Sequence, residues 1–134
     1  MRAIMLQLLS TPTIYRWMIT ILFVGIVVIL SITPGKSQPG DSMFVWLVVH
    51  TPTPVQKFMH LVIYAALVVL WAWTLDAIES RAVRLLLAFL IAISLGSVLE
   101  WYQTKIPGRF GTIVDALLNA FGAIAGLLAA LVLL

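Results

Sequence analysis

Long apolar runs separated by short polar breaks set the pattern of this chain. The first run, Trp17–Ile32, reads WMITILFVGIVVILSI and stops at Thr33-Pro34-Gly35-Lys36. The second, Phe58–Leu75, follows Thr51-Pro52-Thr53-Pro54 and ends before Asp76 and Glu79. The third extends from about Arg84 to Gln103 and the fourth from about Thr112 to Leu134, with the turn residues Pro107-Gly108 between them. A helix of about 20 apolar residues crosses the hydrocarbon core of a bilayer. Each run is near that length, and each is bounded by residues that break or start helices. The pattern predicts an all-α protein with four transmembrane helices, over about 15–33, 57–75, 84–103 and 112–133, in an antiparallel bundle. Residues 1–134 then form a single transmembrane domain.

Shorter segments fill the links. Met43–Val49 is too short to cross and is expected to lie at the interface or re-enter partway, with His50 interfacial behind it. The first fifteen residues, MRAIMLQLLSTPTIY, are expected to form a short surface helix. No small-residue cleavage site follows the first run, so it reads as a retained span rather than a signal peptide. The tryptophans, Trp71 and Trp73 among them, read as an interfacial belt. Asp76, Glu79, Arg81 and Arg84 read as a solvated turn.

Composition strengthens the membrane assignment. The chain is 63% hydrophobic and only 10% charged, where soluble domains carry about a quarter charged residues. Cysteine is absent, which excludes disulfides, thiolate metal sites and cysteine nucleophiles. The eight basic residues are scattered singly, so nucleic acid is not an expected partner; the lipid bilayer is. Four spans put both termini on one side, with Arg2, Arg16, Arg81 and Arg84, and leave Lys36, Lys57, Lys105 and Arg109 on the other. This tie is broken only by setting Lys57 and Arg109 aside as site residues. The positive-inside rule then places the termini in the cytoplasm and the polar residues at the outer face.

Those polar residues gather whatever the orientation. In a four-span hairpin the start of span two, the end of span three and the start of span four share one side. Lys57, His60 and Tyr64 are spaced +3 and +4, so they share a helix face; Gly96, Glu100 and Gln103 repeat the theme at +4 and +3. Asp115, Asn119, Gly122 and Gly126 follow at +4, +3 and +4, a polar turn that becomes a small-residue packing face. An ionised side chain at mid-bilayer costs roughly 2.5–3.5 kcal/mol or more. Glu100 and Asp115 are therefore expected to pair with Lys57 or Arg109. No second histidine stands beside His60, and no metal or other cofactor is expected. Ser94 and Ser97 lie outside any G-x-S-x-G elbow, which disfavours a serine hydrolase.

In order, Lys57-x-x-His60-x-x-x-Tyr64, Glu100-x-x-Gln103, Pro107-x-Arg109 and Asp115-x-x-x-Asn119-x-x-Gly122 resemble the VanZ-like family of small bacterial membrane proteins. The resemblance covers roughly residues 54–134, three of the four spans. It implies a multi-pass protein of the bacterial cytoplasmic (inner) membrane with a cell-envelope role. The family's namesake is associated with resistance to the glycopeptide antibiotic teicoplanin.

Two functions from different classes fit these residues, against a structural clamp that merely fixes helix register. In the first, a polar pocket binds an anionic envelope or lipid headgroup, a lipid-linked phosphate or a cell-wall precursor carboxylate. Lys57 and Arg109 supply charge, and Tyr64, Gln103 and Asn119 supply hydrogen bonds. In the second, a membrane enzyme acts on a lipid or cell-wall precursor headgroup. Glu100 or Asp115 serves as base, His60 as base or proton shuttle, and Arg109 stabilises developing negative charge.

Overall fold

A computed structural model describes residues 10–134, which contain no β-strand. The surface helix expected over the first fifteen residues falls largely outside the described residues, as does Arg2. Five helices follow: α1 (Thr13–Ile32), α2 (Met43–His50), α3 (Thr53–Thr74), α4 (Arg81–Gln103) and α5 (Ile113–Leu133). All but α2 are long and apolar enough to cross a membrane, with mean hydropathies of 1.7 to 2.3. The chain is a multi-pass integral membrane protein.

Local chemistry sets the helix ends. The α1 helix closes where the Thr33 backbone and hydroxyl both donate to Ile29 O, at 3.1 and 2.6 Å, and Pro34 cannot continue the ladder. Ser42, Ser80 and Thr112 cap α2, α4 and α5, each hydroxyl accepting from an amide three residues on. Pro54 sits in the first turn of α3, where its missing N–H is not needed. Hence α3 starts at Thr53, not near residue 57, and α4 starts at Arg81, not Arg84.

The spans alternate in direction. One end of the bundle, the terminal end, holds the start of α1, the α3–α4 link and the C-terminus; the other, the cluster end, holds the remaining links. Hydrophobic residues that face lipid, such as Leu22, Val98 and Leu128, are more than half exposed. The faces of α4 and α5 that turn inward are rich in small residues. Ala88, Ala92 and Gly96 are buried on α4, and Gly122, Ala123, Gly126 and Ala130 on α5. A Cβ at Gly122 would strike the Leu61 carbonyl of α3, and one at Gly126 the Ala65 carbonyl. The α5 helix packs most extensively on α3 through this seam. Lipid offers no hydrophobic drive for helices to associate, so close backbone approach replaces it.

The terminal end departs from the sequence reading. Arg16 is 4% exposed. It donates to Asp76 Oδ2 at 2.7 Å, Trp73 O at 3.2 Å and Thr11 O at 2.8 Å, and its guanidinium lies 5.5 Å from the Trp73 ring centre. One turn deeper, the Thr20 and Thr74 hydroxyls meet at 2.7 Å. Asp76 is therefore a partner of α1, not part of a solvated turn. Arg81 and Arg84 are helical, and Arg81 donates to Leu131 O of α5. Trp73 is 7% exposed and belongs to the bundle interior, not to an interfacial belt.

Candidate functional site

Three spans meet at the cluster end through side-chain hydrogen bonds. His60 of α3 contacts Asn119 Oδ1 of α5 through Nδ1 at 2.8 Å, and Asn119 Nδ2 donates to Glu100 Oε1 of α4 at 3.1 Å. His60 Nδ1 is also 3.6 Å from Glu100 Oε1. An ionised carboxylate only accepts, so it takes the amide N–H; the amide oxygen is then left for His60 Nδ1–H. Nε2 takes no hydrogen bond among the described residues. Glu100 Oε2 is buried without a hydrogen-bond partner, an unmet capacity of about 1–3 kcal/mol.

Arg109 reaches the same end from the α4–α5 link. Its amide donates to Ile106 O at 3.1 Å, closing a turn over Pro107-Gly108 in which Gly108 has φ +77°. That is a type II turn, and its third position favours glycine. Gly108 also lies against Gly35 of the α1–α2 link, and Gly35 N donates to Pro107 O at 3.2 Å. From this braced loop the Arg109 guanidinium donates to Leu30 O and Thr33 O, both at 2.9 Å. These are carbonyls at the C-terminus of α1, where a cation is favoured. Burial pulls the guanidinium below its ordinary range and the Glu100 charge opposes that shift.

Two adjoining cavities open beside these groups. One, of about 130 Å³, lies between α1 and α3 and is lined by Tyr64, His60, Gln103 and Arg109 together with Val27, Leu30, Met59 and Ile63. The other, of about 400 Å³, is lined by Lys57, Thr112 and Asp115 on the loop side. They share Val48, Gln56, His60, Gln103 and Arg109. Tyr64 is 4% and Gln103 5% exposed, but the buried side-chain polar atoms without a partner among the described residues are Trp71 Nε1, Arg84 Nε and Glu100 Oε2. The Tyr64 hydroxyl and the Gln103 amide keep accessible surface where these residues line the cavity.

All eight sequence-predicted polar residues therefore reach one end, but not with the expected pairings. Among the described residues neither Lys57 nor Arg109 forms an ion pair with Glu100 or Asp115; Arg16 pairs with Asp76, and His60 Nδ1 stands 3.6 Å from Glu100 Oε1. The Arg109 guanidinium holds α1 carbonyls instead. Asp115 accepts from the Thr112 hydroxyl at 2.6 Å while its own amide donates back at 3.1 Å, so it serves the α5 cap. Lys57 is exposed at the cavity rim. Sequence reasoning missed Gln56, Ser31 and Thr51 on the cavity wall and the two α1 carbonyls. Gln56 precedes Lys57 and was legible as a polar residue at a span start; backbone partners leave no trace in side-chain identity. Among the described residues, no three His, Asp or Glu are placed to hold a metal ion.

No family model, curated protein or solved structure matches the chain.

Proposed function

We propose that this is a VanZ-like protein of the bacterial inner membrane, and that its paired cavities bind an anionic headgroup of an envelope lipid or cell-wall precursor. The observation that carries this reading is the placement of Tyr64 and Gln103 beside Arg109 on the wall of one cavity, with polar atoms that keep accessible surface. A ligand oxygen accepting from the phenol and the amide would satisfy both, and Arg109 and Lys57 would neutralise its charge. The termini are cytoplasmic in this reading and the cavities face the outside, where a role in glycopeptide resistance would act. Titration of the purified protein with labelled anionic lipids and cell-wall precursors tests it. Saturable one-to-one binding, weakened about tenfold by Gln103→Ala and Tyr64→Phe together, a loss of roughly 1.4 kcal/mol, supports the reading. Absence of binding, or binding untouched by those changes, contradicts it.

The His60–Asn119–Glu100 chain favours a second reading, an enzyme acting on the bound headgroup. It holds imidazole Nε2 as a base and keeps a carboxylate close to the imidazolium that would form. Turnover abolished in His60→Gln with binding intact would select the enzyme; stoichiometric binding without turnover selects the binder.

A further inference from the structure

The two cavities differ in character in a way that names the ligand's other half. The smaller one is apolar where α1 and α3 face each other, at Val27, Leu30, Met59 and Ile63. The larger one adds Lys57, Thr112 and Asp115. His60, Gln103 and Arg109 belong to both and mark the boundary. An occupant filling both volumes is apolar at one end and polar at the other, where the cations Lys57 and Arg109 outnumber the carboxylate of Asp115.

The apolar half lies between α1 and α3, and α1 is tied at both ends. The Thr20–Thr74 bond ties α1 directly to α3 near the terminal end, at 2.7 Å. At the cluster end Arg109 holds the Leu30 and Thr33 carbonyls from the α4–α5 link. Arg109 thus bridges the cluster end of the α1–α3 space from the side, while the two helices pack on each other elsewhere along their length. Met59, on the wall of this space, is 39% exposed on a spanning helix and so borders lipid. Val48 of α2 and Thr51 line the cavity from the link side. The outward residues of α2, Met43, Phe44, Trp46 and Leu47, are 44–75% exposed and apolar, which sets this helix in the membrane interface.

We infer that the ligand is a membrane lipid with a phosphate-bearing headgroup, admitted sideways from the bilayer through the α1–α3 seam rather than from water. This rests on the binding reading above and specifies its occupant. The phosphate lies beyond the His60–Gln103–Arg109 boundary near Lys57, and the first carbons of the chain occupy the seam.

The experiment compares dioleoyl phosphatidic acid with glycerol 3-phosphate as probes of the whole chain in detergent and in nanodiscs. Phosphatidic acid is expected to bind at least about tenfold tighter, the gain from burying roughly two methylenes. Met59→Trp and Ile63→Trp, on the α3 wall of the seam and apart from the α1 carbonyls that hold Arg109, should remove most of that advantage and leave glycerol 3-phosphate binding unchanged. Equal affinity of the two probes in the unaltered protein overturns the inference but spares the binding reading. So does an undiminished advantage in both tryptophan variants at unchanged helical signal. Failure of both probes to bind overturns the inference and the binding reading together.

Discussion

Single atoms decide much of this molecule. Gly122 and Gly126 show why a small side chain was readable as packing: any Cβ there meets a carbonyl of α3, whereas a Cβ at Gly25 meets nothing within 4 Å. Gly122→Ala is therefore expected to destabilise the bundle by about 1–3 kcal/mol. Gly25→Ala should be neutral or stabilising by up to roughly 1 kcal/mol from helix propensity. Thermal unfolding in detergent distinguishes the two, and equal effects would contradict the α3–α5 seam. Arg109 carries a second residue-scale claim. Its two hydrogen bonds need a planar fork. Arg109→Lys should keep the charge yet lower stability by about 1.5–3 kcal/mol, the worth of hydrogen bonds from a charged group. A lysine variant as stable as the parent would show that only the charge at this place matters. The residues of this site were legible because their spacing marks helix faces, but their partners were not. Charge arithmetic pairs Arg109 with Glu100 or Asp115; the fold gives it the frayed carbonyls of α1 and leaves Glu100 to an amide and an imidazole.

At the scale of elements, caps and ties fix where each span begins and how neighbours register. Thr112 accepts from Asp115 N and donates to Asp115 Oδ2, so Thr112→Ala should cost about 0.5–2 kcal/mol as a lost N-cap. The same change is expected to loosen α5 at the cavity wall, visible as faster amide exchange over its first turn. The α1–α3 pair depends on Arg16. Removing one member of a buried ion pair costs roughly 3–5 kcal/mol. The Asp76 side chain is 32% exposed, so Arg16→Met should fall at the lower end of that range, measured by unfolding in detergent. Asp76→Asn, which leaves the Trp73 and Thr11 carbonyl contacts, should cost less. Sequence periodicity placed all four spans, because apolar length is a direct consequence of bilayer thickness. It missed the Arg16–Asp76 tie because both residues sit at span ends, where solvation is the ordinary fate of a charge. Only the antiparallel docking of α1 on α3 brings them together.

Taken whole, the molecule is a lipid-facing shell around a narrow interior with polar matter at both ends. At the terminal end Arg16 meets Asp76 and Thr20 meets Thr74, while Trp71 Nε1 and Arg84 Nε are buried there without partners among the described residues. At the cluster end Tyr64, His60, Gln103 and Arg109 line a cavity. The cavity, not unmet polarity, distinguishes this end, and the sequence could not draw the difference, since both ends carry similar residue types. The even span count did predict that the starts of α3 and α5 share a side. The lack of native cysteine makes side-resolved labelling clean. The most direct measurement places single cysteines at Thr53 and Val114, which line the larger cavity, and at Glu79 in the α3–α4 link. Each is reacted with a membrane-impermeant maleimide in sealed vesicles, with and without phosphatidic acid. Thr53→Cys and Val114→Cys are expected to label from one side and to be protected by the lipid, while Glu79→Cys labels from the other and is not. Labelling of positions 53 and 114 from opposite sides, or the absence of any protection there, would contradict the binding reading.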